Sequence, residues 1–553
     1  MTKIDRDESR AALDAMLGHW ESSTAPGLAI GVSVGGVPVY RRGFGLADPA
    51  SGIGNTPQTR MRIGSTTKHF TCLLALMLVE SDGLDIEAPI RQYIPELKGV
   101  GGRPTLRQLM HHTGGTRDYL DLQCLTLGLT VPPIGEALRA QVRQTQVNFE
   151  PGEHMLYCNG GYHLLSIAIE RFAGESFERL LRKRIFIPSA MSDTECVPTD
   201  FVFDRQRATQ NVALTDGRFA LGTFPSDELR GEGGVVSTVD DMLRWARNFD
   251  PSYAQRLGSN RAWEELLAEP VYASGFVGRY TLGLIKERYR GLEAVSHAGG
   301  VIGGSSEMLI VPELAIAIVV MANRSDVDSR QIARDALGCL RLPSLAAARE
   351  AVSVVGNESL IGDYYSDQTN LVYSIRDVGG RLNLCLCRSP TGLTLFRGVD
   401  DAIDVAFGVT GHTIVRFCSD GRLAISVDGV DSIYRRLDGE VTDTHAMLRL
   451  AVGHYVSADA GVAADLEIMG EDYIFTTRGP HGGRTSSLIP MPGLLAEIAW
   501  AVPATRQHGV VRFESSEGRV TRLWIDTERT RSLQFTRVER SGETPAGAAE
   551  LPK

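Results

Sequence analysis

The chain has 553 residues, room for about two to four domains, and its 43% hydrophobic and 22% charged residues exclude a largely unfolded polypeptide. A formal net charge of −10 works against broad nucleic-acid binding, which needs a positive surface to displace counterions. No run approaches the roughly 18 apolar residues of a membrane-spanning helix, the opening MTKIDRDESRAALDAML lacks a signal-peptide pattern, and the eight cysteines form no CxxC pair, so a reduced, cytoplasmic protein without membrane contact is expected.

Along the chain, residues 1–340 read as mixed α and β. Residues 28–48 form a hairpin turning at Gly35-Gly36. Residues 66–83 form a helix that is apolar nearly all round and stops at Gly83, the pattern of a buried central helix. A second helix over 161–174 also stops at glycine, 214–222 resembles a small hairpin, and 307–323 reads as two buried strands around Pro312-Glu313. A connecting helix is expected over 343–355. From there to about 540, short alternating segments are separated by Asp-Gly, Gly-Gly and Glu-Gly turns, as in antiparallel barrels or sandwiches. This part is doubled. Gly362-Asp-Tyr-Tyr-Ser366 recurs as Gly453-His-Tyr-Val-Ser457, and 433–437 resembles 534–538, at spacings of 91 and 101 residues. Two similar barrels are therefore expected, one with an insertion of about ten residues. The division is 1–340, 341–440 and 441–553, with a disordered tail over 541–553.

Three short motifs can carry chemistry. Ser65-Thr-Thr-Lys68 opens the apolar helix, and residues i and i+3 share a helix face, so hydroxyl and amine can meet at its N-terminus. An ammonium buried there is costly unless paired or neutralised, and lysine is a base whose pKa falls readily on burial. Only six of the 57 Lys and Arg residues are lysine, so one facing into an apolar helix is informative. In Tyr157-Cys-Asn159, ahead of the second helix, a phenol can relay protons and an amide can orient a lysine or a substrate carbonyl. His297-Ala-Gly299-Gly300 lies beside a strand, where glycine admits a substrate backbone. Read singly, each has a plain structural explanation: a surface lysine, a packed loop tyrosine, a common His–Gly pair.

Together, in this order and at intervals of 92 and 140 residues, they resemble the SxxK, YxN and KTG elements of the serine β-lactamase and penicillin-binding-protein superfamily. LRQLMHHTGG (106–115), FEPGEHMLYCNGGYHLLSIAIE (149–170) and GEGGVVSTVDDMLRWARN (231–248) are similar to further landmarks of that superfamily. The similarity spans most of 1–340. His-Ala-Gly in place of Lys-Thr-Gly, with two C-terminal barrels, resembles the bacterial D-aminopeptidases of this superfamily, or the related peptidases that cut linearised microcystin.

The resemblance implies an α+β catalytic domain, its antiparallel sheet flanked by helices, followed by two antiparallel β-barrels. It implies that Ser65 is an acylated nucleophile and that Lys68 and Tyr157 form a proton-shuttling pair. Asn159 would hold Lys68 and the substrate amide, and His297 would position substrate or Tyr157. Gly299 and Gly300 would line the substrate edge, with the N–H groups of Ser65 and Gly300 forming an oxyanion hole. In the aminopeptidases a barrel loop enters the site and supplies an acid for the substrate amine. The matching loop here is expected at 478–487, with Arg478, His481 and Arg484, but it holds no Asp or Glu, and two arginines suit a carboxylate instead. The expected activity is hydrolysis of small peptides or amides with a D-residue at the scissile bond. The alternatives are an internal cut in a linearised microcystin-like peptide, an esterase or β-lactamase, or a non-catalytic sensor. No nucleotide motif and no metal-ligand spacing is present, so no cofactor and no metal are expected; a small peptide is the expected partner and a homodimer is allowed.

Overall fold

Six antiparallel strands form the central sheet of the computed structural model, which describes residues 5–202, 204–389, 392–398, 403–405, 413–499 and 508–539. The tail expected over 541–553 lies outside these residues. The sheet order is Ile285–Tyr289, Leu292–Val301, Gly304–Val311, Ile316–Ala322, Leu28–Val34 and Val37–Phe44. The last two strands are the expected N-terminal hairpin, whose Gly35 and Gly36 supply the left-handed turn at φ 59° and 72°. That hairpin closes on the end of the domain, with Leu28 opposite Ala322.

Both sheet faces are covered, which explains why IAIVVMA (316–322) is apolar at every position and buried throughout. Leu28, Ile30, Val32, Ile318 and Val320 pack on one face against Leu13, Leu17, Ala333 and Leu337 of two terminal helices. Ala29, Met308, Val319 and Met321 face a larger helical layer around Phe70, Leu73 and Leu74. Each such leucine or phenylalanine contributes about 1.5–3 kcal/mol by leaving water. Among the described residues no helix is long and apolar enough to cross a membrane.

The C-terminal part forms two closed barrels of eight antiparallel strands each. The repeated segments are the strands that close them. Gly362–Ser366 pairs with Val430–Arg436, and Gly453–Ser457 pairs with Leu533–Val538. The copies share side-chain chemistry at the seam. Tyr364 and Tyr455 each donate their hydroxyl to the backbone carbonyl four residues earlier, Leu360 and Ala451. Arg436 and Arg537 each lie 5.8 Å over those rings.

Residues 343–355 are not the expected connecting helix. Val352 is buried in the first barrel, donating its N–H to Leu395 and accepting from Leu382, with bridges at Ala351 and Ser353. Barrel pairing here overrides the helical propensity of the Ala-rich stretch. The helix that connects the domains' barrels is Thr442–Ala451.

Candidate active site

Ser65 lies in a 3-10 turn, Gly64–Thr67, that leads into the helix Lys68–Asp82. Side chains three apart eclipse in a 3-10 turn, so Ser65 and Lys68 superimpose more closely than an α-helix allows. Lys68 is fully buried, and its Nζ lies 2.9 Å from Ser65 Oγ, 3.0 Å from Asn159 Oδ1 and 2.6 Å from the Glu232 carbonyl oxygen. Burial pulls the Lys68 pKa down to about 7; Glu232 opposes the shift and Arg529 adds to it.

Asn159 is the first residue of the helix Asn159–Ala173. Both its backbone N–H and its amide Nδ2 donate to Asp118 Oδ2, at 3.0 and 2.8 Å. Those donors fix the amide so that Oδ1 faces Lys68 as an acceptor. Asp118 also caps the next helix, Tyr119–Thr126, through Leu120 N–H. Behind Lys68, the buried Glu232 carboxylate accepts from Tyr119 Oη at 2.6 Å and sits 3.1 Å from His163 Nδ1. Burial alone would raise Glu232, but His163 holds it below its ordinary range.

The Tyr157 ring is buried 4.8 Å from Lys68 Nζ and 4.1 Å from the His112 ring. His112 grips this segment from both sides: its carbonyl accepts from Leu156 N–H and its Nδ1 from Cys158 N–H, each at 3.0 Å. The Tyr157 hydroxyl has no hydrogen-bond partner among the described residues. Burial pushes the phenol well above its ordinary pKa, and the cation of Arg529 pulls it back only in part.

His297 lies on the strand Leu292–Val301. Its Nδ1 is 2.6 Å from the Ala298 carbonyl and its Nε2 is 3.0 Å from Tyr280 Oη. A carbonyl only accepts, so Nδ1 carries the proton and Nε2 accepts from Tyr280. Burial, then Lys68, push its pKa far down, so the ring is neutral. It reaches Tyr157 only ring to ring, at 6.3 Å, and through Tyr280. The strand Ile285–Tyr289 pairs with this strand only as far as Ser296, so 297–301 have a free edge on that side. Gly299 presses on the turn before Ser65: a Cβ there would stand 1.8 Å from the Ile63 carbonyl oxygen. At the exposed Gly300 a Cβ would meet nothing within 4 Å.

The structure thus brings Ser65, Lys68, Tyr157, Asn159, His297, Gly299 and Gly300 to one cleft. It places Arg478, His481 and Arg484 elsewhere. Arg478 pairs with Asp465 on the neighbouring strand, His481 Nε2 is 3.4 Å from Glu136, and Arg484 donates to the Cys124 carbonyl at 2.7 Å. Their hairpin docks on the side of the catalytic domain, with Thr477 Oγ1 donating to Thr126. The loop that reaches the cleft is 527–532, between the last two strands of the second barrel. Its Arg529 lies 4.9 Å over the Tyr157 ring and 3.8 Å from Asp118. Sequence reasoning missed this loop, along with Asp118, Glu232 and His112. The signal available was a run of charge, Asp526-Thr-Glu-Arg-Thr-Arg531, where a hairpin turn prefers Gly or Asn.

Arg117 locks the loop in place. Its side chain is 1% exposed, pairs with Asp459 at 2.5 Å, and donates to the Arg531 and Ser532 carbonyls at 3.0 Å each. Arg117→Met leaves Asp459 without its cation, and breaking such a buried pair costs about 3–5 kcal/mol. The expected result is a lower denaturation midpoint and faster limited proteolysis within 527–532; an unchanged digestion pattern would show that the loop is held by other contacts.

Residues 14–339 match the family model described as Beta-lactamase. A D-aminopeptidase of Brucella anthropi is 28% identical over 486 residues, 86% of each chain, and that of Brucella canis is 28% identical over 384 residues, 69% of this chain and 71% of that one. The structure of an octameric penicillin-binding protein homologue from Pyrococcus abyssi matches with a TM-score of 0.51 at 19% identity, covering 95% of this chain and 99% of that one. A D-amino acid amidase from Ochrobactrum anthropi, complexed with D-phenylalanine, matches with a TM-score of 0.50 at 22% identity over 61% of this chain and 98% of its own. With a serine held against a buried lysine at the start of the central helix, and a family match over most of the catalytic domain, this chain belongs to the β-lactamase family and is a serine hydrolase.

Proposed function

We propose that the protein is a peptidase or amidase that hydrolyses short peptides or amides with a D-residue at the scissile bond, through an acyl-enzyme on Ser65. The observation that carries the reading is the hydrogen-bonding of Lys68. A neutral amine has two N–H groups, and two acceptors without protons, Asn159 Oδ1 and the Glu232 carbonyl, stand at 3.0 and 2.6 Å. Both N–H groups are therefore committed, and the lone pair points at the third neighbour, the Ser65 hydroxyl. With its pKa drawn to about 7, a large share of Lys68 is neutral at neutral pH.

The chemistry follows. Lys68 takes the Ser65 proton as Oγ attacks the carbonyl, and the oxyanion forms between the N–H groups of Ser65 and Gly300. The protonated Tyr157, kept so by burial, supplies a proton to the leaving amine as the C–N bond breaks, and Lys68 restores it. Water then attacks the ester, giving a proton to Lys68, which passes it to Ser65 Oγ as the ester C–O bond breaks, so the acid product leaves and the serine hydroxyl and neutral amine are restored. The free strand edge at 298–300 suits a peptide backbone.

The preference for a D-residue is supported by the Brucella relatives, named D-aminopeptidase, whose 28% identity covers 86% of this chain in one case. An internal cut is the second reading. It is favoured by Arg529, which brings a cation to the Tyr157 ring. A D-alanyl anilide, its N-acylated form and a matched ester, offered side by side, separate these. Turnover of both anilides is expected if the cleft accepts either end. Turnover of only the free amine would remove the internal cut, and turnover of only the ester would remove the peptidase.

A further inference from the structure

We infer that Arg529 is an anion subsite that selects substrates carrying a carboxylate beside the scissile bond; this rests on Ser65 being the nucleophile, as proposed above. The second barrel delivers this guanidinium to within 4.9 Å of the Tyr157 ring, so a ligand on it lies next to the group that protonates the leaving amine. Its ion-pair partner on the catalytic domain, Asp118, does not satisfy it. Asp118 Oδ2 already accepts twice from Asn159, Oδ1 accepts from Leu120, and the 3.8 Å gap to Arg529 is too long for a hydrogen bond. None of the guanidinium N–H groups makes a hydrogen bond among the described residues, although only 27% of the side chain is exposed. A half-buried planar fork of unused donors matches a carboxylate in bidentate geometry.

The subsite is rigid. Asn148 donates to the Arg529 carbonyl at 3.0 Å and accepts from Arg531 N–H at 2.9 Å, while Thr527 Oγ1 donates to Asp121 Oδ2 at 2.5 Å. Three anchors within five residues hold the Arg529 backbone against the catalytic domain, so little order is lost when a ligand binds. Arg529 lines a cavity of about 510 Å³ together with Leu156, Arg330, Arg531, His154, Glu528 and Asp121; most of its other walls are first-barrel residues such as Leu371 and Tyr373, and Ser65, Lys68 and Tyr157 are not among its lining. Glu528 adjoins Arg529 in sequence and is the anion a ligand carboxylate must compete with.

The test needs no turnover. In Ser65→Ala, binding of D-alanyl-glycine and of D-alanyl-glycinamide is measured by calorimetry. The free carboxylate is expected to bind about tenfold tighter, the range of one charge-assisted bidentate contact. Adding Arg529→Gln should bring the ratio to about one, and Arg529→Lys, which keeps charge but loses the fork, should retain part of it and serves if the glutamine variant does not fold. Equal affinities in Ser65→Ala, a ratio that survives both Arg529 variants, or no binding of either peptide at millimolar concentration would overturn the subsite. Hydrolysis of the D-alanyl amides by the unaltered enzyme tests the proposed function separately. If the binding ratio holds without that hydrolysis, the substrate class is wrong and the subsite stands; the reverse outcome discards only the subsite.

Discussion

Lys68→Met is expected to lower kcat/KM by roughly 10³–10⁴-fold, the usual contribution of a positioned general base, and Ser65→Ala by about 10⁴–10⁶-fold. The pH profile is the sharper measurement. Lys68 works only as the neutral amine, and burial has pulled its pKa from the ordinary 10.5 of a lysine to about 7. The active form therefore grows as pH rises: kcat/KM should climb about tenfold per unit below that point and level off above it. Tyr157 acts in its protonated form, and burial pushes its pKa upward, so the rate should not fall again across the ordinary alkaline range. In Lys68→Met the limb near neutrality should vanish along with the activity. A profile that is flat between pH 6 and 8 in the unaltered enzyme would remove Lys68 as the base. Mass spectrometry should find an acyl adduct on Ser65 in the wild type and none in Ser65→Ala.

The second large effect separates two adjacent glycines. In Gly299→Ala the new methyl would lie 1.8 Å from the Ile63 carbonyl oxygen and 2.5 Å from Ser306 Oγ, both in the packed seam between strand and nucleophile turn. Neither neighbour can give easily, because Ser306 Oγ donates to that same carbonyl at 2.8 Å. The strand must move away from Ser65 by about an ångström, and a misplacement of that size costs about 10²-fold in rate. Gly300→Ala meets open space and should leave stability nearly unchanged, while its methyl occupies the face where substrate lies and raises KM. Steady-state kinetics and thermal denaturation of both variants check the contrast. Equal behaviour of the two would mean that the strand does not set the position of Ser65.

The motif residues that converge on the cleft were legible because each is constrained locally. Ser65 and Lys68 share a face through one turn of chain, Asn159 begins a helix, and Gly299 is small because a backbone passes against it. The barrel duplication was legible because a closed barrel must pair its first strand with its last, so Gly362–Ser366 and Gly453–Ser457 keep the same pattern. Residues 343–355 were read as a helix because alanine and arginine favour one, and the edge of the first barrel recruited Val352 instead. The cleft loop was assigned to 478–487 from its Gly, His and Arg content. Which hairpin enters the site depends on how the second barrel docks, and that is set by contacts such as Arg117 with Asp459 across 342 positions and Asn148 with Arg529 and Arg531.

By itself, then, the sequence determined the chemical groups and their local spacing: a serine, a lysine three residues on, a tyrosine, an asparagine and a glycine-rich strand. Only the tertiary structure decided what those groups are. The amine of Lys68 becomes a base near neutrality because Asn159 and Glu232, 91 and 164 positions away, claim its N–H groups inside a space from which water is excluded. Burial and long-range hydrogen bonding depend on how the chain closes on itself, and neither is written in any short stretch of residues.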